Sequence, residues 1–227
     1  MKVTAGRYHE ELVGGDSDVY SNRIDGIKLQ YGSKIRLMGW YGKMAKKANA
    51  LTEGSKKSWG VHAGADLGKA VDLFVGYDKM KDVNDNDLKL FDVGVNAKFG
   101  KDLKATAIYL HGSMDNVDPK VKKDGWTLQL AYKGAQAAKP GSWGFLAKYY
   151  DQGRLTYVDH AAFTGKGAFA PRTDADGVAV GFKGFRLSAD YAVAKNMVAR
   201  VSYFDLKSKG QEGNKRKTYY GEMIVTF

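Results

Sequence analysis

Apolar and polar residues alternate strictly along most of this chain, in short segments separated by turn residues. Between 125 and 133, Trp126, Leu128, Leu130 and Tyr132 hold one phase while Thr127, Gln129 and Lys133 hold the other. Residues 141–150 set Trp143, Phe145, Ala147 and Tyr149 against Ser142, Lys148 and Tyr150. Residues 185–193 set Phe185, Leu187, Ala189, Tyr191 and Val193 against Arg186, Ser188 and Asp190. A period of two is the mark of an extended strand whose two faces meet different surroundings. The same phase recurs through 59–67, 71–78, 91–99, 103–111, 197–204 and 217–227, and less regularly through 2–8, 26–31 and 34–44, which predicts twelve strands.

The connections alternate in length. Short links fall at Gly32-Ser33, Gly68-Lys69, Gly100-Lys101 and Lys195-Asn196, with a slightly longer one from Gly134 to Gly141. Between them lie the polar stretches 9–25, 45–57, 79–88, 112–124, 151–177 and 208–216. Strands of soluble sheets average about 5–6 residues, whereas a tilted strand crossing a bilayer needs about 9–11, and these segments have the second length. Strand length and loop asymmetry together predict an all-β fold: an antiparallel transmembrane β-barrel of about twelve strands, one domain over 1–227, with tight periplasmic turns and long external loops. Trp59, Tyr77, Tyr109, Trp126, Trp143, Tyr191, Tyr203 and Tyr219 stand at or near strand ends in the apolar phase, where a barrel carries its interfacial aromatic girdles and a soluble protein would carry core aromatics. A soluble β-rich binding protein also satisfies the alternation, provided that Trp126, Leu130, Phe145 and Leu187 are buried between packed sheets.

Composition narrows the classes. No apolar run reaches the roughly 20 residues of a membrane-spanning helix, so a membrane crossing has to be made by closed β-structure. The absence of cysteine excludes disulfides and thiolate metal sites. Pro119, Pro140 and Pro171 all fall in connections, where a missing N–H breaks no ladder. Lys and Arg outnumber Asp and Glu 36 to 25, for a net charge of +11. Nucleic acid is excluded as a partner by distribution, because the cations are spread over loops and alternate strand positions instead of gathering on one face. Lys120, Lys122, Lys123, Lys215, Arg216 and Lys217 in the loops suit an anionic surface glycolipid. Residues 1–7 lack the features of a secretory signal, so the export signal is expected to lie elsewhere.

The segment from Lys217 to Phe227, with Tyr219, Met223, Val225 and Phe227 in one phase, resembles the C-terminal strand of bacterial outer-membrane proteins. That resemblance implies an outer-membrane location and recognition by the barrel-assembly machinery. Lys2-Val3-Thr4-Ala5-Gly6-Arg7, followed by Gly14-Gly15, Val19-Tyr20, Arg23 and Asp25-Gly26, resembles the strand entering the constriction loop of trimeric porins. There it is the fifth strand of sixteen, so the twelve strands here look like the C-terminal three quarters of such a barrel. The run Lys139-Pro140-Gly141-Ser142-Trp143-Gly144 is similar to that of porins that carry an N-terminal S-layer-homology anchor. The resemblance implies passive diffusion of small hydrophilic solutes and ions, a homotrimer, and a loop over 9–25 that folds inward with Glu10, Glu11, Asp16, Asp18 and Asp25 facing basic wall residues, Arg7 and Arg36 among them.

If the apolar phase meets lipid, the other phase lines a lumen. Its expected residues are Arg7, Arg23, Lys28, Arg36, His62, Asp66, Asp72, Asp78, Asp92, Lys98, Lys104, Lys133, Lys148, Arg186, Asp190, Arg200 and Glu222. Cations slightly outnumber anions, which predicts weak anion preference. Enzyme signals are poor. Of His9, His62, His111 and His160, only His62 has a same-row carboxylate, Asp66, and no positioned serine completes a triad. Asp82, Asn84 and Asn86 mimic the start of a calcium loop, but Asp87 stands where glycine is required and Val93 where the terminal glutamate belongs. Gly165, Gly167 and Ala170 match a dinucleotide fingerprint in letters only. The chain is read as a channel without cofactor, resident metal or catalytic residue, with a membrane-barrel enzyme as the alternative.

Overall fold

A computed structural model describes residues 1–14, 19–44, 57–81, 87–115, 117, 119, 121–157, 180–210 and 214–226. Asp16, Asp18, Lys120, the segment 82–86, His160, Gly165, Gly167, Ala170, Pro171 and Phe227 lie outside the described residues. Each predicted segment is a strand: β1 (Lys2–Glu11), β2 (Ser21–Gly32), β3 (Ile35–Met44), β4 (Ser58–Leu67), β5 (Val71–Lys81), β6 (Asp87–Phe99), β7 (Leu103–Ser113), β8 (Asp124–Lys133), β9 (Trp143–Gly153), β10 (Gly181–Ala194), β11 (Met197–Ser208) and β12 (Lys215–Val225). A 3₁₀ turn at Arg154–Thr156 follows β9. The strands form one antiparallel sheet in sequence order, with β1 and β12 at its two edges, and the sheet is not closed.

Several strands outrun the sequence pattern at their long-loop ends, because ladder bonds continue after alternation stops. The first loop shows this most clearly. The sequence places a loop over 9–25, but β1 and β2 pair without interruption from Lys2↔Gln30 to Glu11↔Ser21. Glu10, Glu11, Arg23 and Asp25 are therefore strand residues, and the connection begins at Leu12. At the opposite end of the sheet the links are tight. Gly68 and Gly100 turn the chain with φ of 74° and 69°, in the left-handed region that costs glycine little.

The apolar rows point outward. Trp126 and Leu130 are each 45% exposed, Phe145 56% and Leu187 48%, which excludes a dry core between packed sheets. On this outer face the aromatics gather at two levels. The upper level runs through Tyr41, Trp59, Tyr77, Phe91, Tyr109, Trp126, Tyr149, Phe185, Tyr203 and Tyr219, and the lower through Tyr31, Phe99, Tyr132, Trp143 and Tyr191. Cross-strand ring contacts join members of one level, with centroids 5.0 Å apart for Trp126 and Tyr149 and 5.0 Å for Tyr203 and Tyr219. Such pairs add roughly 0.5–1.5 kcal/mol beyond the area they cover.

The buried apolar cluster lies on the inner face. Leu12, Val13, Val19 and Tyr20 of the first loop are enclosed with Ile24, Trp40, Met44, Met80, Leu88, Leu90, Ile108, Leu110, Met114 and Leu155. The described loop residues are thus folded onto the inner faces of β2, β3 and β5–β7 and held there by the hydrophobic effect. Gly14 passes so close to the Phe74 ring that a Cβ there would overlap it. A smaller cluster of Tyr150, Tyr157, Phe182, Phe204 and Leu206 packs the upper inner face of β9–β11.

Candidate functional site: an inner wall of paired charges beside an inward loop

The inner phase of β3–β7 carries a polar chain below the loop. Arg36 holds Asp66 at 2.5 Å and also pairs with Asp72. Asn96 donates to Asp72 at 3.1 Å, and Thr106 donates to Asn96 at 2.7 Å. Five side chains on five neighbouring strands are linked in this way, because alternate residues of adjacent strands share a face. Lys98 and Lys104 are directly opposite each other on β6 and β7 and continue the same face. On β1 and β2, Lys28 pairs with Glu10, its ammonium 5.0 Å from the Tyr8 ring centroid.

A second group occupies β9–β12. Arg200 grips Asp190 through two bonds of 2.8 and 2.9 Å and reaches Glu222 at 3.1 Å. Arg186 donates to Ser188 at 2.8 Å, and Ser188 bonds Ser202 at 2.8 Å. The guanidinium of Arg186 lies 5.4 Å from the Phe204 ring, and the Lys148 ammonium 5.1 Å from that of Tyr150. Between this wall and the loop is a space of about 270 Å³ lined by Gly14, Asn96, Lys104, Thr106, Thr127, Gln129, Lys148, Arg186, Ser188, Asp190 and Arg200. Four of these are cationic, and the one carboxylate is held by Arg200. A neighbouring space of about 620 Å³, bounded by Glu10, Val13, Gly14, Arg36, Met38, His62, Asp72 and Phe74, lies on the side of β1–β5.

Not every expected wall residue faces inward. Arg7 and Asp25 pair at 2.6 Å on the outer face, in the phase of Ile27 and Leu29, and Arg7 is 65% exposed. Arg23 is opposite His9 in that same phase, and Glu11 accepts a bond from Ser21 at 3.3 Å there. The physical reason is height. In the register Ile27 is opposite Tyr41 and Asp25 opposite Lys43, so Arg7 and Asp25 stand just above the upper aromatic level, where an outward row is polar because the apolar band has ended. Lys133 also leaves the inner face. Its backbone turns through a φ of 55° at the lower rim, and its ammonium sits 4.3 Å over the outward ring of Trp143, a cation–π contact. His62 bonds Asp78 at 3.0 Å, not Asp66, which Arg36 already holds. The remaining inward expectations, Lys28, Arg36, Asp66, Asp72, Asp92, Lys98, Lys104, Lys148, Arg186, Asp190, Arg200 and Glu222, lie on the inner phase of their strands. Tyr219, Met223 and Val225 project outward from β12.

Sequence reasoning passed over the loop's own anchors. Leu12-Val13 and Val19-Tyr20 are apolar pairs inside an otherwise polar loop, which is the signal that it has a surface to cover. Burial pushes the Tyr20 hydroxyl's pKa up, assisted by the nearby Tyr8 and carboxylates, so it stays protonated and donates to the Arg23 carbonyl at 3.1 Å.

No family model and no curated protein matches the chain. Solved structures do. Over 97% of its length the chain superposes on 67% of OccK8 (OprE) of Pseudomonas aeruginosa, with a TM-score of 0.60 and 12% identity. It superposes over 99% of its length on 74% of OccD3 (OpdP) of the same organism, with a TM-score of 0.52 and 13% identity. OpdQ, also from Pseudomonas aeruginosa, gives a TM-score of 0.54 at 11% identity over 99% of this chain and 74% of that one. The likeness is one of fold: the chain has the antiparallel all-β architecture of outer-membrane porins.

Proposed function

We propose that the chain forms a channel in a bacterial outer membrane through which small hydrophilic solutes diffuse passively, with preference for anions. The reading rests on one observation: apolar rows are exposed on the outside while ion-paired rows line a space beside an inward loop, the reverse of a soluble protein. Among the described residues no base, nucleophile and oxyanion donors of a hydrolase come together at the site, and the superposed proteins are porins. Lys104, Lys148, Arg186 and Arg200 make the wall opposite the loop positive, so a permeating anion exchanges water for fixed donors. Glu10 is the described loop-flanking carboxylate on the inner phase, held by Lys28.

The unpaired edges of β1 and β12 support the larger-barrel reading, since free backbone N–H and C=O groups in hydrocarbon cost several kcal/mol each. Further strands, four in the sixteen-stranded scheme, would close the wall. The outward Tyr219, Met223 and Val225, together with Phe227, fit recognition by the barrel-assembly machinery, and Lys122 and Lys123 of the β7–β8 connection, with Lys215, Arg216 and Lys217, which begin β12 and do not lie in a loop, fit contact with glycolipid. The outward Arg7–Asp25 pair on β1 and β2 suits a homotrimer contact.

The test is conductance. Protein refolded in detergent and added to a planar bilayer is expected to give stepwise currents, with a reversal potential in a salt gradient of the sign for anion selectivity. Absence of steps from folded protein would sink the channel reading.

A further inference from the structure

His62 on β4, Asp78 on β5 and Asp92 on β6 converge on the inner face, and one side-chain donor atom from each lies within 4.8 Å of the others. The ladder explains the convergence. His62 is opposite Gly76 and Gly76 opposite Asp92, so imidazole and carboxylate flank a residue with no side chain. A Cβ at Gly76 would collide with Asp92 Oδ1 and His62 Nδ1, and one at Gly60 would collide with Asp78 Oδ1. Two glycines therefore clear the floor on which three donor groups meet. Asp78 Oδ1 is fixed from behind by the Trp40 indole, which donates at 2.8 Å, and from the side by His62 Nε2 at 3.0 Å.

The group is under-satisfied as it stands. Asp92 is wholly buried, and neither of its carboxylate oxygens has a hydrogen-bond partner among the described residues; Asp78 Oδ2 has none either. Three acceptor atoms enclosed without donors are costly, and buried charge is ordinarily paired or bound to metal. Access exists, because His62 also lines the 620 Å³ space beside Val13 and Gly14 of the inward loop.

We infer that His62, Asp78 and Asp92 form a binding site for a divalent metal ion of the zinc class. One imidazole and two carboxylates are a nitrogen and oxygen donor set that zinc accepts, with water from the adjoining space completing a tetrahedron. Trp40 is the outer partner that aims the Asp78 carboxylate, as the neighbours of metal ligands commonly do. The ion ties β4, β5 and β6 together on the face against which the loop rests, so its effect falls on stability whether or not the chain conducts.

The test uses the refolded protein in detergent, stripped with a chelator and titrated with cobalt(II) as a spectroscopic stand-in and with zinc in competition. The expected result is a visible d–d band that saturates at one cobalt per chain and is bleached by zinc, together with a zinc-dependent rise in the urea midpoint. Asp92→Asn and His62→Gln are expected to lose the band and the rise. Should either variant fail to refold, Asp92→Leu, which replaces the orphaned oxygens with apolar atoms, is expected to fold in chelator yet show neither signal. No saturable band in the folded parent protein, or an undiminished band in folded Asp92→Asn or Asp92→Leu, overturns the site.

Discussion

The inner faces of β2–β7 and of β8–β11 arise from the same alternation but differ in what covers them. The first is overlaid by Leu12, Val13, Val19 and Tyr20, and its upper part is apolar to receive them. The second has no described loop across its middle, and there Lys148, Arg186 and Ser188, each buried, line a small polar space together with Arg200. Alternation fixes only which residues face inward. Whether an inward position ends up wet or dry depends on what the loop brings to it.

This contrast can be broken from either side. The largest effect is expected from the cationic wall: Lys148→Glu with Arg186→Glu reverses two of its four cations, and the reversal potential in a salt gradient should shift toward cation preference. On the covered wall, Tyr20→Ala removes a fully buried aromatic, a change that costs roughly 3 kcal/mol or more for large residues. Its expected signature is a larger and noisier single-channel conductance, as the loop loosens, together with a lower urea midpoint. On the outer surface, Leu187→Arg puts a charge within the apolar band and should cost about 2–4 kcal/mol of folding free energy in lipid, measured by urea unfolding in vesicles, while the inward Ser188→Ala should cost far less.

A pH experiment sharpens the covered side alone. Because the Tyr20 hydroxyl has its pKa raised in the fold, the unfolded chain releases that proton first, near pH 10. Its contribution to stability is therefore complete below about pH 10 and is lost progressively above it. Tyr20→Phe should flatten the alkaline fall in the urea midpoint while leaving the neutral value within about 1 kcal/mol, the net worth of one hydrogen bond. The smallest effect is expected at an exposed ion pair: Asp66→Asn leaves Arg36 with Asp72 and should shift stability by less than about 1 kcal/mol.

The strands and the parting of apolar and polar rows onto opposite faces were legible because a two-residue period survives any curvature of the sheet, and the outward sense of the apolar rows rested on strand length and loop asymmetry. Leu187 and Arg186 could be assigned to opposite faces from the chain alone. Height along the strand was not legible in the same way. Arg7 and Asp25 are polar residues in an outward row, and only the register against Tyr41 and Lys43 shows that the row has already risen past the apolar band there. Lys133 was misread because a left-handed backbone at the rim carries a side chain off its phase. The meeting of His62 with Asp78 and Asp92 was out of reach for a further reason. It depends on cross-strand register between residues 16 and 30 positions apart, and on Gly76, whose lack of a side chain leaves the room.

The two aromatic levels carry a consequence for the membrane itself. On β8, β9 and β10 the lower and upper rings, Tyr132 and Trp126, Trp143 and Tyr149, Tyr191 and Phe185, are six positions apart. At a rise of about 3.3 Å per residue that is roughly 20 Å along the strand, and less along the bilayer normal once the strand tilts. A typical hydrocarbon slab is about 30 Å thick, and bacterial outer membranes are thinner than average. On the proposed channel reading the belt suits a thin leaflet pair, and lipids with longer acyl chains would have to compress around it.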